Sequence, residues 1–505
     1  MMPYSQFIIP PAKVAKPHDG EGGSMVRASN ANFSQEVGFK KVGAHHVILP
    51  PGSRSSLPHA ESLEEEFVFI VSGRPHAWID GYVYELKPNV AVGFPAGTGI
   101  AHCFVNNTDS DVQLLVFGER TKKENLCSFP ASPEHKESCD IWWADASTRI
   151  LGPHNGRPGP IHPSEVGKEW PSFVIDCDLI KPSSGWHYPG DSETFGEYSR
   201  LTDKLGLKVL GIGFERLQPG RRSAFPHSHK TEEEFAFILS GTATIWMNGF
   251  VHEAKAGSGV AFVPGTNIAH CLINDSDKPV VYIVVGEAND EKNEDRIFYP
   301  QHPFRNEQCR FKKDFWEDRP LDLEVGLHDG RPKMGLGEHL ALSHVLPTDS
   351  GTVLKIFKES PNYFRRVDGC EPTMNSVQIA ITDGPKKLSP TYRKEFLFLE
   401  YQDNPIGVVD LHIDHPEAGT AYVGLLLLAE RHFAKGLGRK FYDLVEHYAK
   451  TTFGTKIMRL GISDDNDVSG FWKNLGFAPN GKTYSWKGEN KTTNVIEFDK
   501  VLAAL

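Results

Sequence analysis

The chain copies itself once, and that copy settles most of what it can fold into. Residues 59–73, HAESLEEEFVFIVSG, align without a gap on residues 227–241, HSHKTEEEFAFILSG. The same shift of 168 residues carries PAGTGIAHCFVNN (95–107) onto VPGTNIAHCLIND (263–275), Gly38 onto Gly206, and Gly118-Glu119 onto Gly286-Glu287. Further on the register slips slightly, and LGPHNGRPG (151–159) answers VGLHDGRPKMG (325–335). One constant offset held from Gly38 to Glu119 marks a tandem duplication over residues 1–335, with units at 1–165 and 166–335. Within each unit, alternating and β-branched stretches such as HAWIDGYVYEL and TATIWMNGFVHEA carry DG or NG turns at hairpin spacing. Many short strands with regular turns specify an all-β sandwich or barrel, and each unit is long enough to bury its own core. Phe69, Trp78, Phe237 and Trp246 are read as barrel filling.

The repeat also weakens any case for disulfides. Of the seven cysteines, Cys103/Cys271 and Cys139/Cys309 are repeat mates, and none falls in a C-x-x-C spacing. An odd, scattered set reads as reduced thiols in a cytoplasmic protein. The formal net charge of −11 argues against nucleic acid as a partner. The longest apolar runs, VVYIVV (280–285) and VGLLLLA (423–429), are strand-sized, so no membrane span is expected. The start, MMPYSQFIIPPAK, lacks a basic segment followed by an apolar one, so no secretory signal is expected.

In the second unit His227 and His229 stand at i and i+2, which on a strand puts both imidazoles on one face. Glu234 follows just before the apolar strand FAFILSG, and His270 arrives after the turn PGTNIA. Three imidazoles and a carboxylate suit a divalent transition metal, with positions left for water or substrate. Here the sequence resembles the cupin superfamily: Gly220, His227, His229, Glu234 and Gly241 match its first motif with one extra residue in the first gap. Pro264, Gly265, His270 and Asn274 match its second, with slightly altered spacing. The resemblance covers roughly residues 35–120 and 203–290 and implies two double-stranded β-helix (jelly-roll) barrels. The first unit keeps His59, Glu66 and His102, but Glu61 replaces the second histidine. Two histidines and two carboxylates make a harder, more anionic metal site; an empty, degenerate copy is the alternative. Mn, Fe, Ni and Zn are not distinguished by these residues, and cupin chemistry spans oxygenases, isomerases and binding proteins that catalyse nothing.

After residue 339 the texture changes. TDSGTVLKIFKES offers a capping Thr or Asp and then helical spacing, and EFLFLEYQD with PIGVVDLHIDH forms a hairpin candidate. YVGLLLL (422–428) is an apolar strand; Leu437, Phe441, Leu444, Val445 and Tyr448 then recur at helical spacing. A strand, a glycine loop and a helix form a phosphate site, because the helix N-terminus offers free N–H groups and favours anions. Lys435, Arg439 and Lys440 add positive charge there. With the strand IMRLGISDDND (457–467) and VSGFWKNLGFAPNG (468–481) following, residues 350–500 resemble the GCN5-related N-acetyltransferase (GNAT) family, an α+β fold with a mixed sheet, here placed at 340–505.

The family's acetyl-CoA loop falls on Phe433, Ala434, Lys435, Gly436, Leu437 and Gly438, and its later motif on Asn466, Phe471, Trp472, Lys473, Gly476 and Phe477. The resemblance implies that Leu426 and Leu428 pair the pantetheine through backbone groups and that the loop amides hold the pyrophosphate. Phe433 stands where Arg or Gln is usual, and Trp472 where a tyrosine often serves as general acid. Indole donates only and does not titrate usefully, whereas direct amine attack mainly needs proximity and a deprotonated amine. Glu400, Asp410, His412 and Asp414 are the candidate bases, each also readable as a solvated strand residue. The expectation is a fusion of a metal-binding bicupin with an acetyl-CoA-dependent N-acetyltransferase of small amines. The alternative is a bicupin that senses a small ligand or acts as an assembly platform. A homodimer, or a pseudo-dimer within the chain, is implied by the cupin resemblance alone.

Overall fold

The computed structural model describes residues 2–10, 17–19, 27–120, 122–137, 139–188, 193–288, 295–335, 340–385, 389–402, 404–466, 468–488 and 490–502. Each repeat unit is a pair of facing antiparallel sheets. In unit 1 the larger sheet sets Val90–Phe94, Glu66–Ser72, Val112–Glu119 and Val42–Leu49 side by side, and the smaller holds Ser53–Arg54, His102–Asn106, His76–Ile79 and Tyr82–Glu85. Unit 2 repeats this with Gly259–Phe262, Glu234–Ser240, Val280–Glu287 and Leu210–Leu217 against Phe250–Lys255, Thr242–Met247 and His270–Ile273.

The apolar character of EFVFIVS and EFAFILS on both faces now has a cause. Val68 and Ile70 fill the interior of the first barrel, while Phe67 and Phe69 turn outward into a core shared with unit 2. Ala236 and Ile238 do the same inside the second barrel, with Phe235 and Phe237 in the shared core. Phe33 stacks on Phe235 there, ring centroids 5.4 Å apart. The aromatics read as barrel filling lie outside the barrels, with Phe69 and Phe237 in the shared core. Trp78 and Trp246, buried at 0% and 2% exposure, face away from the interior and donate to His154 O and His328 O. Strand alternation gives the interior to Ala77, Ile79, Ile245 and Met247 instead.

The units also exchange strands and caps. Ile8–Ile9 pairs with Gly259–Phe262 of unit 2, and Val174–Asp176 pairs with Val90–Phe94 of unit 1. Buried Glu65 accepts the N–H groups of Lys208, Val209 and Leu210 at 2.7, 2.9 and 3.0 Å. Its repeat mate Glu233 accepts those of Lys40, Lys41 and Val42 at 2.6, 2.9 and 2.9 Å. Charge-assisted bonds of this kind are the strong ones. The duplicated chain is a pseudo-dimer closed on itself.

The C-terminal domain has strands β1 (Leu340–His344), β2 (Arg393–Tyr401), β3 (Asn404–Ile413), β4 (Thr420–Leu428), β5 (Ile457–Ser463), β6 (Ala478–Lys487) and β7 (Thr492–Val501). Its helices are α1 (Ser350–Lys358), α2 (Pro361–Val367), α3 (Met374–Thr382), α4 (Leu437–Phe453) and α5 (Ser469–Lys473). One mixed sheet runs Met334–Gly335, β1, β2, β3, β4, β5, β7, β6, and the β4–β5 pair is parallel. Phe441, Leu444, Val445 and Tyr448 of α4 pack on one face against Leu411, Val423 and Leu460, as their spacing predicts. Val353, Ile356, Phe357, Phe364 and Val377 of α1–α3 cover Phe396, Phe398 and Val408 on the other. The expected cap of α1 is not made. Asp349 occupies the cap position, but its carboxylate accepts Leu346 N–H at 2.8 Å and pairs with Arg331, closing the turn before the helix. The domain docks on unit 2 through Arg221 and Glu395, 2.7 Å apart with side chains 3% and 1% exposed. All seven cysteines are free thiols, and among the described residues no helix is long and apolar enough to cross a membrane.

Candidate functional sites

Strand pairing assembles the first constellation at the mouth of the second barrel. His227 and His270 form a backbone bridge, N–H to O distances 3.2 and 2.8 Å, and Glu234 opens a strand of the facing sheet. One ligand atom from each of His227, His229, Glu234 and His270 lies within 4.8 Å of the others. Each imidazole is held from behind: His227 Nδ1 donates to Phe225 O (2.8 Å), His270 Nδ1 to Ile268 O (3.4 Å), and His229 Nδ1 meets Asp295 Oδ2 (2.6 Å). Such partners orient the rings and turn each Nε2 inward, where His270 Nε2 meets Glu234 Oε2 at 3.0 Å. Burial, then the neighbouring His229 and His270, pull His227 down to about 3, so it stays neutral. Burial alone would raise Glu234, but the bond from His270 and the surrounding imidazoles bring it to about 2. His229 goes the other way: burial would lower it, but the Asp295 bond and the charges of Glu232, Asp295 and Glu234 raise it to about 9. Three imidazoles and a carboxylate fit a divalent transition metal on donor chemistry, its binding displacing any inward proton.

The first barrel keeps the same scaffolding for three residues. His59, Glu66 and His102 bring ligand atoms within 4.8 Å of one another, with His59 Nδ1 on Leu57 O (2.9 Å) and His102 Nδ1 on Ile100 O (3.2 Å). Glu61 stands outside this trio. It occupies the place of His229, and Asn125 occupies that of Asp295, since Glu61 pairs with Cys127 where His229 pairs with Ile297. Asn125 Oδ1 accepts Leu63 N–H (3.0 Å), as Asp295 Oδ1 accepts Thr231 N–H (2.8 Å). Burial, then Glu66 and Glu64, push the Glu61 carboxyl up to about 8. A neutral amide faces that carboxyl where a second acid would repel it, so the two replacements fit each other. Asp295 and Asn125 carry no signal in the sequence; only the strand register finds them.

In the C-terminal domain, β4 and β5 pair from Thr420–Ile457 to Val423–Leu460 and then part, opening a cleft of about 1100 Å³. Ala429 N–H points to Ile406 O on β3, so by alternation Leu426 and Leu428 turn their backbone groups to the open edge. Leu428 O already accepts the Ser360 hydroxyl at 2.9 Å. Phe433, Ala434, Gly436, Leu437, Gly438, Arg439 and Asn466 line the cleft, whereas Lys435 is exposed outside it. Gly436, at φ +74°, leads into α4 with no side-chain cap on the helix amides, the arrangement that receives phosphate. Arg439 is partly engaged, donating to Asn474 O at 2.6 Å. Trp472 is 7% exposed in an edge-on cluster with Tyr442, Phe477 and Phe471.

The candidate bases separate cleanly. Glu400 is buried, holds Lys333 Nζ (2.7 Å) and Ser343, and does not line the cleft. Asp414 accepts Gly419 N–H (2.7 Å) within a turn. Asp410 lines the cleft at 8% exposure. Its Oδ2 takes Lys394 Nζ at 2.8 Å and stands 3.4 Å from His412 Nε2, while its buried Oδ1 has no hydrogen-bond partner among the described residues. The Tyr392 hydroxyl and His412 Nδ1 share a bond of 2.8 Å; burial and then Asp410 keep that hydroxyl protonated, up to about 12. Asp410 pairs with Leu425 and Leu411 with Val423, so Gly424 is the extra residue of a bulge, and a Cβ on it would lie 3.0 Å from His412 Nε2 and 3.3 Å from Asp410 Oδ2. Tyr392, Lys394 and Gly424 escaped sequence reasoning, although a glycine inside an apolar strand is itself a bulge signal.

Family comparison agrees with this anatomy. A cupin domain model matches residues 45–118 and 213–286, and an acetyltransferase (GNAT) family model matches residues 375–477. A search of curated proteins gives no match. Among solved structures, oxalate decarboxylase of Lactobacillus farciminis in a formate complex aligns at 17% identity and TM-score 0.39, over 62% of this chain and 96% of that one. Oxalate decarboxylase of Bacillus subtilis aligns at 12% and 0.38, over 62% and 84%. A glyoxylate-induced protein of Pseudomonas aeruginosa aligns at 16% and 0.39, over 57% and 89%.

Proposed function

The chain carries two cupin domains followed by a GNAT acetyltransferase domain, and from that premise we propose an acetyl-CoA-dependent N-acetyltransferase of small amines joined to a metal-binding bicupin. The carrying observation is the open edge of β4 between a glycine loop and the Asp410 carboxylate beside Gly424. When bound, acetyl-CoA supplies a thioester carbonyl as electrophile. The amides at the start of α4 would hold its pyrophosphate, and the open backbone of Leu426 would align its pantetheine. Gly424 clears the space in front of Asp410 and His412. Asp410 Oδ2, the oxygen beside the space that Gly424 leaves, would accept the hydrogen bond of an incoming amine and take its proton as the N–C bond forms and the C–S bond breaks. Lys394 and His412 hold that oxygen in place. Trp472 closes the cleft and can offer only a hydrogen bond.

Calorimetric titration of the full chain with acetyl-CoA, then thiol release with a panel of amines, tests this reading. Saturable binding with turnover supports it; no binding at millimolar acetyl-CoA removes it. Asp410→Asn should cut kcat/KM by about 10²–10⁴ while leaving acetyl-CoA binding in place.

For the bicupin, the donor set of the second barrel would hold Mn, Fe, Ni or Zn and supply Lewis-acid chemistry, while the first barrel offers two histidines and one carboxylate. Bound metal lost on His227→Ala with His229→Ala supports this. A second reading, in which the bicupin senses a ligand for the transferase, draws on the buried Arg221–Glu395 contact between them. Acetyl transfer that responds to chelation of the bicupin metal would favour it. Free thiols and the cytoplasm suit both.

A further inference from the structure

The acceptor side of the cleft has a shape that acyl transfer alone does not require. On β3, β4, β5 and β7 the register sets His412, Tyr422, Arg459 and Asp499 in one row across the sheet. Two residues further along β5 stands Gly461, paired with Glu497 on β7. Two residues back along β3 stands Asp410, opposite the bulge at Gly424. Alternation puts Asp410, Gly424, Gly461 and Glu497 in a second row on the same face. The glycines confirm the face: a Cβ on Gly424 would meet His412 and Asp410, and one on Gly461 would meet the hydroxyls of Tyr422 and Tyr484 at 2.8 and 2.7 Å.

A row with a carboxylate at each end therefore crosses the sheet, and its two glycines leave room for the side chains above them: His412 and Asp410 over Gly424, and the Val495 methyl with the Tyr422 and Tyr484 hydroxyls over Gly461. Its ends are three strand spacings apart, about 14 Å at roughly 4.8 Å each, before the parting of β4 and β5 widens it. Midway stands a pair of tyrosine hydroxyls, Tyr422 and Tyr484, 2.7 Å apart, and Tyr484, Trp486 and His415 add ring faces along the cleft. Glu497 accepts Asn480 Nδ2 at 3.2 Å and has no ion-pair partner among the described residues. Arg459, the nearest cation in the adjacent row, is already held by Asp499 at 2.7 Å and Glu417 at 3.2 Å. Carboxylates, ring faces and neutral hydroxyls recognise ammonium groups, and two carboxylates far apart recognise two of them.

Resting on the acyl-transfer reading of this cleft, we propose that the acceptor is a linear polyamine: one terminal amine is acetylated at Asp410 while a second cationic nitrogen is held at Glu497, with the Tyr422–Tyr484 hydroxyls between. The neutral terminal amine forms the amide bond as the C–S bond breaks; its proton passes through Asp410 to the departing sulfur, and CoA leaves as the thiol. The test is thiol release by the full chain with spermidine, with shorter diamines, and with alkylmonoamines of matched length. Spermidine should exceed the matched monoamine by at least tenfold in kcat/KM, mainly through KM. Glu497→Gln should collapse that preference toward one, and Tyr484→Phe should reduce it without loss of folding. Equal use of monoamines, or a preference that survives Glu497→Gln, overturns the assignment while leaving acyl transfer standing. No transfer to any amine, with acetyl-CoA still bound, overturns both.

Discussion

Gly438 sits in the first turn of α4, where a Cβ would lie 3.5 Å from the ring of Phe471, an ordinary contact. A side chain therefore fits, and its charge decides the outcome. Aspartate there complements the helix dipole and removes a helix glycine, each worth up to about 1 kcal/mol. It also puts a negative charge where the pyrophosphate would lie. Gly438→Asp should thus hold or raise the thermal midpoint while lowering acetyl-CoA affinity at least tenfold. Weakened binding with a matching loss of stability would mean the glycine is structural. A second residue-scale case lies inside the second barrel. Glu215 is bonded by the Tyr282 hydroxyl, and burial pushes its carboxyl to about 8 from an ordinary 4.5. The folded state then keeps a proton that the unfolded chain has lost, so this residue's contribution to stability falls as pH rises from about 4.5 to 8. Glutamine carries no such dependence. With chelator present, Glu215→Gln should gain on the parent between pH 5.5 and 8 by on the order of a few kcal/mol in denaturant unfolding. Parallel pH profiles would refute it. Unit 1 has Val47 at the matching position, so the effect belongs to the second barrel alone.

At the scale of elements, the leading strand of each unit adds to the large sheet of the other. Ile9 is 2% exposed in the shared core, paired with Gly259. Ile9→Ala should cost about 2–5 kcal/mol, read as a lower unfolding midpoint of the bicupin, although position 9 is distant in sequence from unit 2. A cost under about 0.5 kcal/mol would show that the strand is frayed in solution. No periodicity reveals such an exchange, because IIPP is too short to carry a pattern and its partner lies about 250 residues away. What sequence could carry was local. H-x-H spacing, the glycine loop and the stripe Leu437, Phe441, Leu444, Val445, Tyr448 each depend on neighbours within one turn or strand, and each took the expected form. Asp295 behind His229, Asn125 behind Glu61, and the placing of Gly424 and Gly461 on one face depend on register between strands far apart in the chain. Asp349 shows the same limit in reverse: its local signal as a cap was sound, but Arg331 and Leu346 N–H claimed the carboxylate.

At the scale of the whole molecule, the bicupin and the transferase meet through buried charge as well as the apolar contact of Leu346 with Phe225 and its neighbours. Arg221 donates to Thr194 O at 3.0 Å and to Glu395 Oε1 at 2.7 Å; the other oxygen of Glu395 accepts the Tyr448 hydroxyl of α4 at 3.0 Å. Beside them Arg222 and Glu193 form a second pair at 2.7 Å, with side chains 1% and 2% exposed. Taking these ions out of water costs several kcal/mol each, and their attraction offsets it only while every partner is present. Removing one member is therefore far worse than removing both. Arg221→Met leaves Glu395 buried without its cation and should destabilise the full chain by about 3–5 kcal/mol. Arg221→Met with Glu395→Gln should recover most of that loss, since no bare charge remains. Tyr448 ties Glu395 to the helix that begins at the acetyl-CoA loop, so the single variant should also weaken acetyl-CoA binding and the double variant restore it. Unfolding midpoints and acetyl-CoA titrations of the three proteins read both effects. A single variant that costs under about 1 kcal/mol, or a double variant no better than the single, would mean that the domains are docked by packing alone.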